Sequence, residues 1–374
     1  VSANSSYKVD TTAPTVAGSS DKADGSYKAG EAINVTLTFT EAVSLSGGNL
    51  TITLNSGATL TVAPSDLTSA TAVTKVYTVA SSQTSADLAI SSLSLASGAT
   101  IKDAAGNDAT ISSLTANVGT SDAIVIDTTA PAVGTVTTIA TDTGASGDRI
   151  TSDNDDTSTV WTVNVSSETG LTLSVNLAGT GDVTSKFTAA DTGSGNYTLT
   201  VKSGQTLADG VYTVTSTDAA GNATAFTQTI TVDSTAATIS SVAITSATGA
   251  ANNTLNVGDV VSVTVTFNEA VNVTGTPVVA LDIGGTAKNA AYDSGTGTTA
   301  LVFKYTIESS LTDADGISIG ANALAQVSGS TIKDVAANTA TITHSAVSAN
   351  SSYKVDTTAP AVGTVTTIAT DTGA

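Results

Sequence analysis

Apolar and polar residues alternate with a period of two wherever this chain carries a clear pattern. Ile33, Val35, Leu37 and Phe39 fall on one face of an extended segment, with Asn34, Thr36, Thr38 and Thr40 on the other. Val261, Val263, Val265 and Phe267 repeat the pattern, and Trp161, Val163 and Val165 give a third instance around the only Trp of the chain. Such alternation predicts strands buried on one face and wet on the other. Shorter strands are predicted near 49–54, 58–63 and 74–79, with a final one over Ala123–Ile126. No segment shows an apolar stripe at helical spacing. About seven short strands per unit, with turn signals roughly every 8–12 residues, is the pattern of a β-sandwich.

A recurring pentapeptide divides the pattern. Asp-Thr-Thr-Ala-Pro stands at Asp10–Pro14, Asp127–Pro131 and Asp356–Pro360, and a degenerate copy begins at Asp233. The Asp residues are 117, 106 and 123 residues apart, a domain-sized interval. Pro fixes φ and pushes the residue before it out of the helical region, which suits an extended linker. The expected domains are therefore 11–126, 127–232 and 233–355. The first and third share a plan: Thr40-Glu41-Ala42-Val43 matches Asn268-Glu269-Ala270-Val271, and Ile101–Asn107 matches Ile332–Asn338. The second differs in its first half, where a long acidic loop carries Asp142, Asp148, Asp153 and Asp155. Val1–Pro14 is identical to Val347–Pro360, and Asp127–Ala145 to Asp356–Ala374. Residues 1–10 are thus expected to be the terminal strand of a preceding repeat and 356–374 the first strand of a following one, in a longer tandem array.

Composition narrows the function. Among 374 residues, 12 Lys and Arg face 32 acidic residues, for a net charge of −20. That argues against nucleic acid and anionic membrane as partners, since both need clustered basic side chains. No run of 18 apolar residues predicts a membrane span. With neither Cys nor Met, disulfides and thiolate metal sites are unavailable. His344 is the only His, so no Ser-His-Asp set can be assembled, and the carboxylates that recur do so at turns in every unit. An enzyme is not expected. Trp161 is in phase with Val163 and Val165 and is expected in the core rather than on a sugar.

Leu207-Ala208-Asp209-Gly210-Val211-Tyr212 places a Tyr just after an Asp-Gly turn, which resembles the tyrosine corner of immunoglobulin-like sandwiches. The Asp-Thr-Thr-Ala-Pro linkers, the Tyr27–Glu31 run, the Phe39–Val43 run and the Asp-Ala-Ala-Gly-Asn turns are similar to bacterial immunoglobulin-like repeats of the Big type. These occur in very large secreted adhesins and biofilm matrix proteins. The resemblance implies an all-β chain of tandem immunoglobulin-like sandwiches arranged as an extended rod. It also implies an extracellular stalk whose junctions are often stiffened by Ca²⁺, with a binding domain elsewhere in the parent protein. Expected partners are neighbouring repeats of the same chain, with lateral self-association into a filament or surface layer as an alternative. A glycan- or surface-binding module is the second alternative.

In an immunoglobulin-like sandwich the second-to-third and sixth-to-seventh strand loops lie at the end where the chain enters. The incoming linker would then gather Asp10, Glu41, Asp103 and Asn107 in the first unit. It would gather Asp127, Glu168, Asp218 and Asn222 in the second, and Asp233, Glu269, Asp334 and Asn338 in the third. Several carboxylates with amide and backbone oxygens suit a hard cation, and six to eight oxygen ligands suit Ca²⁺ better than Mg²⁺. The alternative reading is that the Asp and Asn side chains simply bond to nearby turn amides. The acidic loop of the second unit is expected near Asp233, either adding ligands or remaining solvated.

Overall fold

The computed structural model describes residues 8–120, 122–155, 159–166 and 168–364. Among them there is no α-helix, only strands and three single 3-10 turns. Among the described residues no helix is long and apolar enough to cross a membrane. The chain is all-β, built of tandem immunoglobulin-like sandwiches. It resolves into two compact units whose division runs through the middle third of the sequence. One comprises Val1–Thr137, Thr162–Leu199 and Thr213–Thr229, and the other Thr138–Trp161, Thr200–Tyr212 and Ile230–Ala374.

In the first unit the alternating segment becomes one 15-residue strand, Ala32–Ser46. It lies between Ala70–Thr78 and Thr15–Ser20, with Thr110–Leu114 at the sheet edge beyond. A second sheet orders Thr59–Val62, Leu50–Leu54 and Ile90–Leu95. Ile33, Val35, Leu37 and Phe39 from one sheet and Leu50, Ile52 and Leu54 from the other are all buried in one core. Burial of such side chains stabilises by about 1.5–3 kcal/mol each, which fixes the register of the strand. The outer face is spanned by hydroxyl pairs such as Thr36–Thr74 at 2.8 Å, which accounts for the Thr-rich composition.

The second unit contains the corresponding strand Val260–Thr274, flanked by Ile239–Thr248 and Thr298–Thr306. Here the hydrogen bonding runs on without a break through Thr286–Ser294 and Val278–Ile283 to Leu324–Ala325. Val261, Val263, Val265, Phe267, Leu281 and Phe303 share its core. In the middle third, Trp161 is fully buried and meets Tyr212 edge-on, with ring centroids 5.5 Å apart. The Tyr212 hydroxyl donates to the Ala208 carbonyl at 2.6 Å, as a tyrosine corner requires. His344 accepts the Ala323 amide at Nε2, at 2.9 Å, and so caps a chain turn.

Asp127, Asp233 and Asp356 each follow, or end, a closing strand that is held parallel to a short earlier strand. Ile124–Ile126 runs parallel to Gly25–Tyr27. Thr231 and Val232 pair with Ile150 and Thr151, and Lys354 and Val355 pair with Thr254 and Leu255. Ile126, Val232 and Val355 are all buried. The last closing segment packs tightly: Gly316 has φ +101°, and a Cβ there would lie 1.9 Å from the Asn350 carbonyl oxygen. Of the expected flanking strands, positions 1–7 and 365–374 lie outside the described residues. Lys8–Asp10 and residues 357–364 carry no strand.

Candidate metal centres at the linkers

The three Asp-x-x-x-Asn turns, at Asp103, Asp218 and Asp334, have the same construction. The Asp103 carboxylate accepts the Asn107 backbone amide at 2.8 Å and the Asn107 side-chain amide at 2.7 Å. Asp218 receives both groups of Asn222 at 2.9 Å, and Asp334 receives those of Asn338 at 2.8 and 2.9 Å. Each Asn then uses Nδ2 to donate to the carbonyl of the linker Asp. These contacts are 3.3 Å from Asn107 to Asp10, 3.0 Å from Asn222 to Asp127 and 2.8 Å from Asn338 to Asp233. The linker Asp folds back in turn, accepting the amide two residues on: Thr12 at 3.0 Å, Thr129 at 2.9 Å and Thr235 at 3.3 Å. The turn thus clips the incoming chain by its backbone and leaves carboxylate lone pairs free.

Two of the three expected carboxylate groups converge. Asp10, Glu41 and Asp103 each offer an oxygen within 4.8 Å of the others, and so do Asp233, Glu269 and Asp334. Glu41 and Glu269 reach their groups from an unexpected place. The sequence puts them in loops after a strand, but both lie within the long strands Ala32–Ser46 and Val260–Thr274. The register shifts between Thr38 and Val43, and between Thr266 and Val271, so each Glu sits on a bulge. A bulge re-aims a side chain without ending the strand. Beyond it the same strand changes partner, pairing with Thr100–Asp103 or Thr331–Asp334, the strands that carry the turn Asp.

The middle group does not converge in this way. Glu168 accepts the Ala132 amide at 2.8 Å, so it braces the linker after Pro131 by direct hydrogen bonding. Asp127, Asp218 and Asn222 keep the clip described above. Lys28 adds a cation there, donating from Nζ to the Gly221 carbonyl at 2.8 Å.

Electrostatics separate the groups further. Burial, followed by the charges of Asp10 and Asp103, pushes the Glu41 carboxyl above its ordinary range. Glu269 is raised by burial and then by Asp233, Asp334 and Asp209. Asp233 is raised by burial, partly offset by the Thr235 amide, with Asp334 and Asp209 adding repulsion. Asp103 moves the other way: burial opposes its charge, but the Asn107 side-chain and backbone bonds outweigh it. Asp334 is 1% exposed, so the third cluster is the most enclosed.

Asp209 is a neighbour that sequence reasoning did not include. Its carboxylate receives the Ser234 amide at 2.8 Å and hydroxyl at 2.7 Å, and also the Thr235 hydroxyl. The signal was only an Asp-Gly pair, which reads as a turn. The acidic loop of the middle third does reach this linker. Asp233 donates its amide to the Thr151 carbonyl at 2.9 Å, and Asn154 donates to Ser234 Oγ at 3.0 Å. Gly144 has φ +85° and lies so close to Val335 that a Cβ would come within 2.1 Å of its carbonyl oxygen. Three carboxylates of the loop turn inward on the loop itself. Asp148 accepts Ile150 N at 2.9 Å, Asp142 accepts Gly147 N, and Asp153 accepts Thr141 Oγ1.

No family model and no curated protein matches the chain by sequence. Several solved structures are similar in fold. An I-band fragment of titin is 12% identical, with a TM-score of 0.29, over 87% of this chain and 95% of that one. A tetra-tandem repeat from the extending region of a large adhesion protein is 18% identical, with a TM-score of 0.27, over 94% and 76%. The human desmocollin-1 ectodomain is 12% identical, with a TM-score of 0.22, over 93% and 60%.

Proposed function

We propose that this chain is a spacer segment of a large extracellular bacterial adhesin or matrix protein, with Ca²⁺ bracing its linkers. The observation that carries the reading is the repeated clip. Three turns of divergent surroundings each commit an Asp–Asn pair to holding the backbone of the linker before them. Residues used in this way serve architecture, because they hold the linker backbone against the turn that follows it in the fold. A glycan-binding role has less support. The large apolar side chains most exposed among the described residues are all Val, and Trp161 is buried, so no stacking platform is offered.

The donor sets at Asp10, Glu41 and Asp103 and at Asp233, Glu269 and Asp334 fit a hard cation. All offer oxygen, the groups converge, and their mutual repulsion favours a counter-ion. When bound, Ca²⁺ would neutralise this repulsion and tie the linker, the bulged strand and the turn together. The middle group, with Glu168 already bonded to Ala132, holds its linker without that help. Extracellular modules bind Ca²⁺ at roughly 10⁻⁴–10⁻³ M, so bracing would be gained outside the cell. Small-angle scattering and thermal unfolding with and without millimolar Ca²⁺ test this. Extension and a higher Tm with Ca²⁺, both reduced in Glu41→Gln plus Glu269→Gln, are expected. No response of the unsubstituted chain to Ca²⁺ would overturn the cation brace. An unchanged clip in hydrogen exchange would leave the spacer standing.

A further inference from the structure

The linker that begins at Asp127 is tied from both sides, and one tie is of a different kind from the rest. Thr128 Oγ1 donates to the Gln83 carbonyl at 3.0 Å and the Asp127 amide to the Tyr27 carbonyl at 3.1 Å, so the first sandwich holds the linker. Asn222 and Glu168 hold it from the other side, as does Thr224, whose hydroxyl donates to the Pro131 carbonyl at 2.7 Å. The Lys28 bond to the Gly221 carbonyl bypasses the linker altogether. It joins residues 193 apart in the sequence, one in the first sandwich and one in the Asp218 turn.

We propose that Lys28 is a positioning residue that locks the Asp127 joint, supplying a fixed ammonium where the other two joints take a cation from solution. The residue before each turn Asp marks the exchange. It is Lys102 in the first turn and Lys333 in the third, but Thr217 in the middle one. Lys102 donates to the Gly106 carbonyl at 3.2 Å from within its own turn, and Gly221 is the counterpart of Gly106. The middle turn has no ammonium of its own, and Lys28 brings one to that carbonyl from the preceding sandwich, at 2.8 Å.

The carboxylates of this joint are met by donors built into the fold. Asp127 accepts the Thr129 amide, Glu168 the Ala132 amide and Asp218 both groups of Asn222. The half-buried ammonium of Lys28 adds positive charge in the same turn through a charge-assisted bond. Resting on the cation brace proposed above, the joints then fall into two kinds. Those at Asp10 and Asp233 are braced when a divalent cation is present, and the one at Asp127 is braced at all times. Withdrawal of Ca²⁺ thus loosens alternate linkers, and the first and second sandwiches stay joined.

The chain has no Cys, so pairs of spin labels can be placed in it without background. One pair, on Val76→Cys and Ala190→Cys, reports on the Asp127 joint from exposed positions, and a second, on Val211→Cys and Ala287→Cys, reports on the Asp233 joint. Distance distributions are measured by double electron–electron resonance on the full chain, in chelator and in millimolar Ca²⁺. The first pair should give the same narrow distribution in both. Lys28→Gln should broaden it in chelator, and Lys28→Arg, which keeps the charge and a donor, should leave it narrow. The second pair should narrow on adding Ca²⁺. The Lys28 lock is overturned if Lys28→Gln leaves the first distribution narrow, if Lys28→Arg broadens it as much as Lys28→Gln does, or if the unsubstituted first pair broadens in chelator. A second pair that ignores Ca²⁺ would overturn the cation brace alone, and the lock at Asp127 would stand.

Discussion

Replacing Asn338 by Ala removes the clip at its most enclosed site, and the cost follows from the contacts. The side chain donates once to the Asp334 carboxylate at 2.9 Å and once to the Asp233 carbonyl at 2.8 Å. A hydrogen bond to a charged partner contributes about 1.5–3 kcal/mol and one to a neutral partner about 0.5–1.5 kcal/mol. Asp334 is 1% exposed, so water does not readily replace the lost donor. Together the loss is about 2–4 kcal/mol of local stability, allowing for imperfect additivity. The amides to follow are Ala340, which donates to Ile332 at 3.0 Å, and Thr341, which donates to Ala237 at 2.8 Å and ties the turn strand to the linker. At about 1.4 kcal/mol per factor of ten, their native-state hydrogen exchange should speed up at least 25-fold. The same substitution at Asn107 should have a much smaller effect. Its contact with the Asp10 carbonyl is 3.3 Å, and Asp10 is solvent-exposed. Equal acceleration at the two turns, or none at Ala340 and Thr341, would refute the link between clip, burial and stability.

Two further outcomes can be checked on the same protein. Glu269 has a folded-state pKa raised above its ordinary value of 4.5, so its contribution is most favourable below that value and is lost as pH rises through the raised one. Without divalent cation, Glu269→Gln should therefore be the more stable chain at pH 7, with the gap closing on acidification toward pH 4.5. Calorimetry in chelator showing a pH-independent gap would contradict this. Tyr212→Phe removes the buried bond to Ala208, at a cost of about 1–2 kcal/mol. A urea midpoint, followed by the fluorescence of Trp161, that does not fall would show that this corner contributes nothing.

Features encoded by short covalent spacing were legible in the sequence, and those set by three-dimensional competition were not. Asp and Asn four residues apart already implied a turn, the loop layout of an immunoglobulin-like sandwich brought it to the linker Asp, and the alternation from Ile33 to Phe39 implied its strand. The bulges were hidden because Thr40-Glu41-Ala42 breaks the period of two, and a break in period reads the same whether a strand ends or bulges. The orientation of Glu168 depends on whether the carboxylate finds an amide or other acids first, and the free Ala132 amide wins. Asp209 lies 24 residues from Asp233, and only the folding of the chain brings it to Ser234 and Thr235.

The closing strands have a mechanical consequence. A pull along the chain acts on the strand Thr15–Ser20 from one side and on Ile124–Ile126 from the other. Ile124–Ile126 runs parallel to Gly25–Tyr27, and the pair is anchored by Gly25 N to Ala123 O at 3.0 Å and Asp127 N to Tyr27 O at 3.1 Å. Traction at the two ends slides these strands past each other, so their bonds share the load and must rupture together. An antiparallel hairpin pulled open from its free ends would instead lose its bonds one at a time. The second and third closures repeat the parallel arrangement. Tensile strength is thereby set by a few residues of shear contact and by the unfolding barrier they impose, largely independently of how stable each core is at rest.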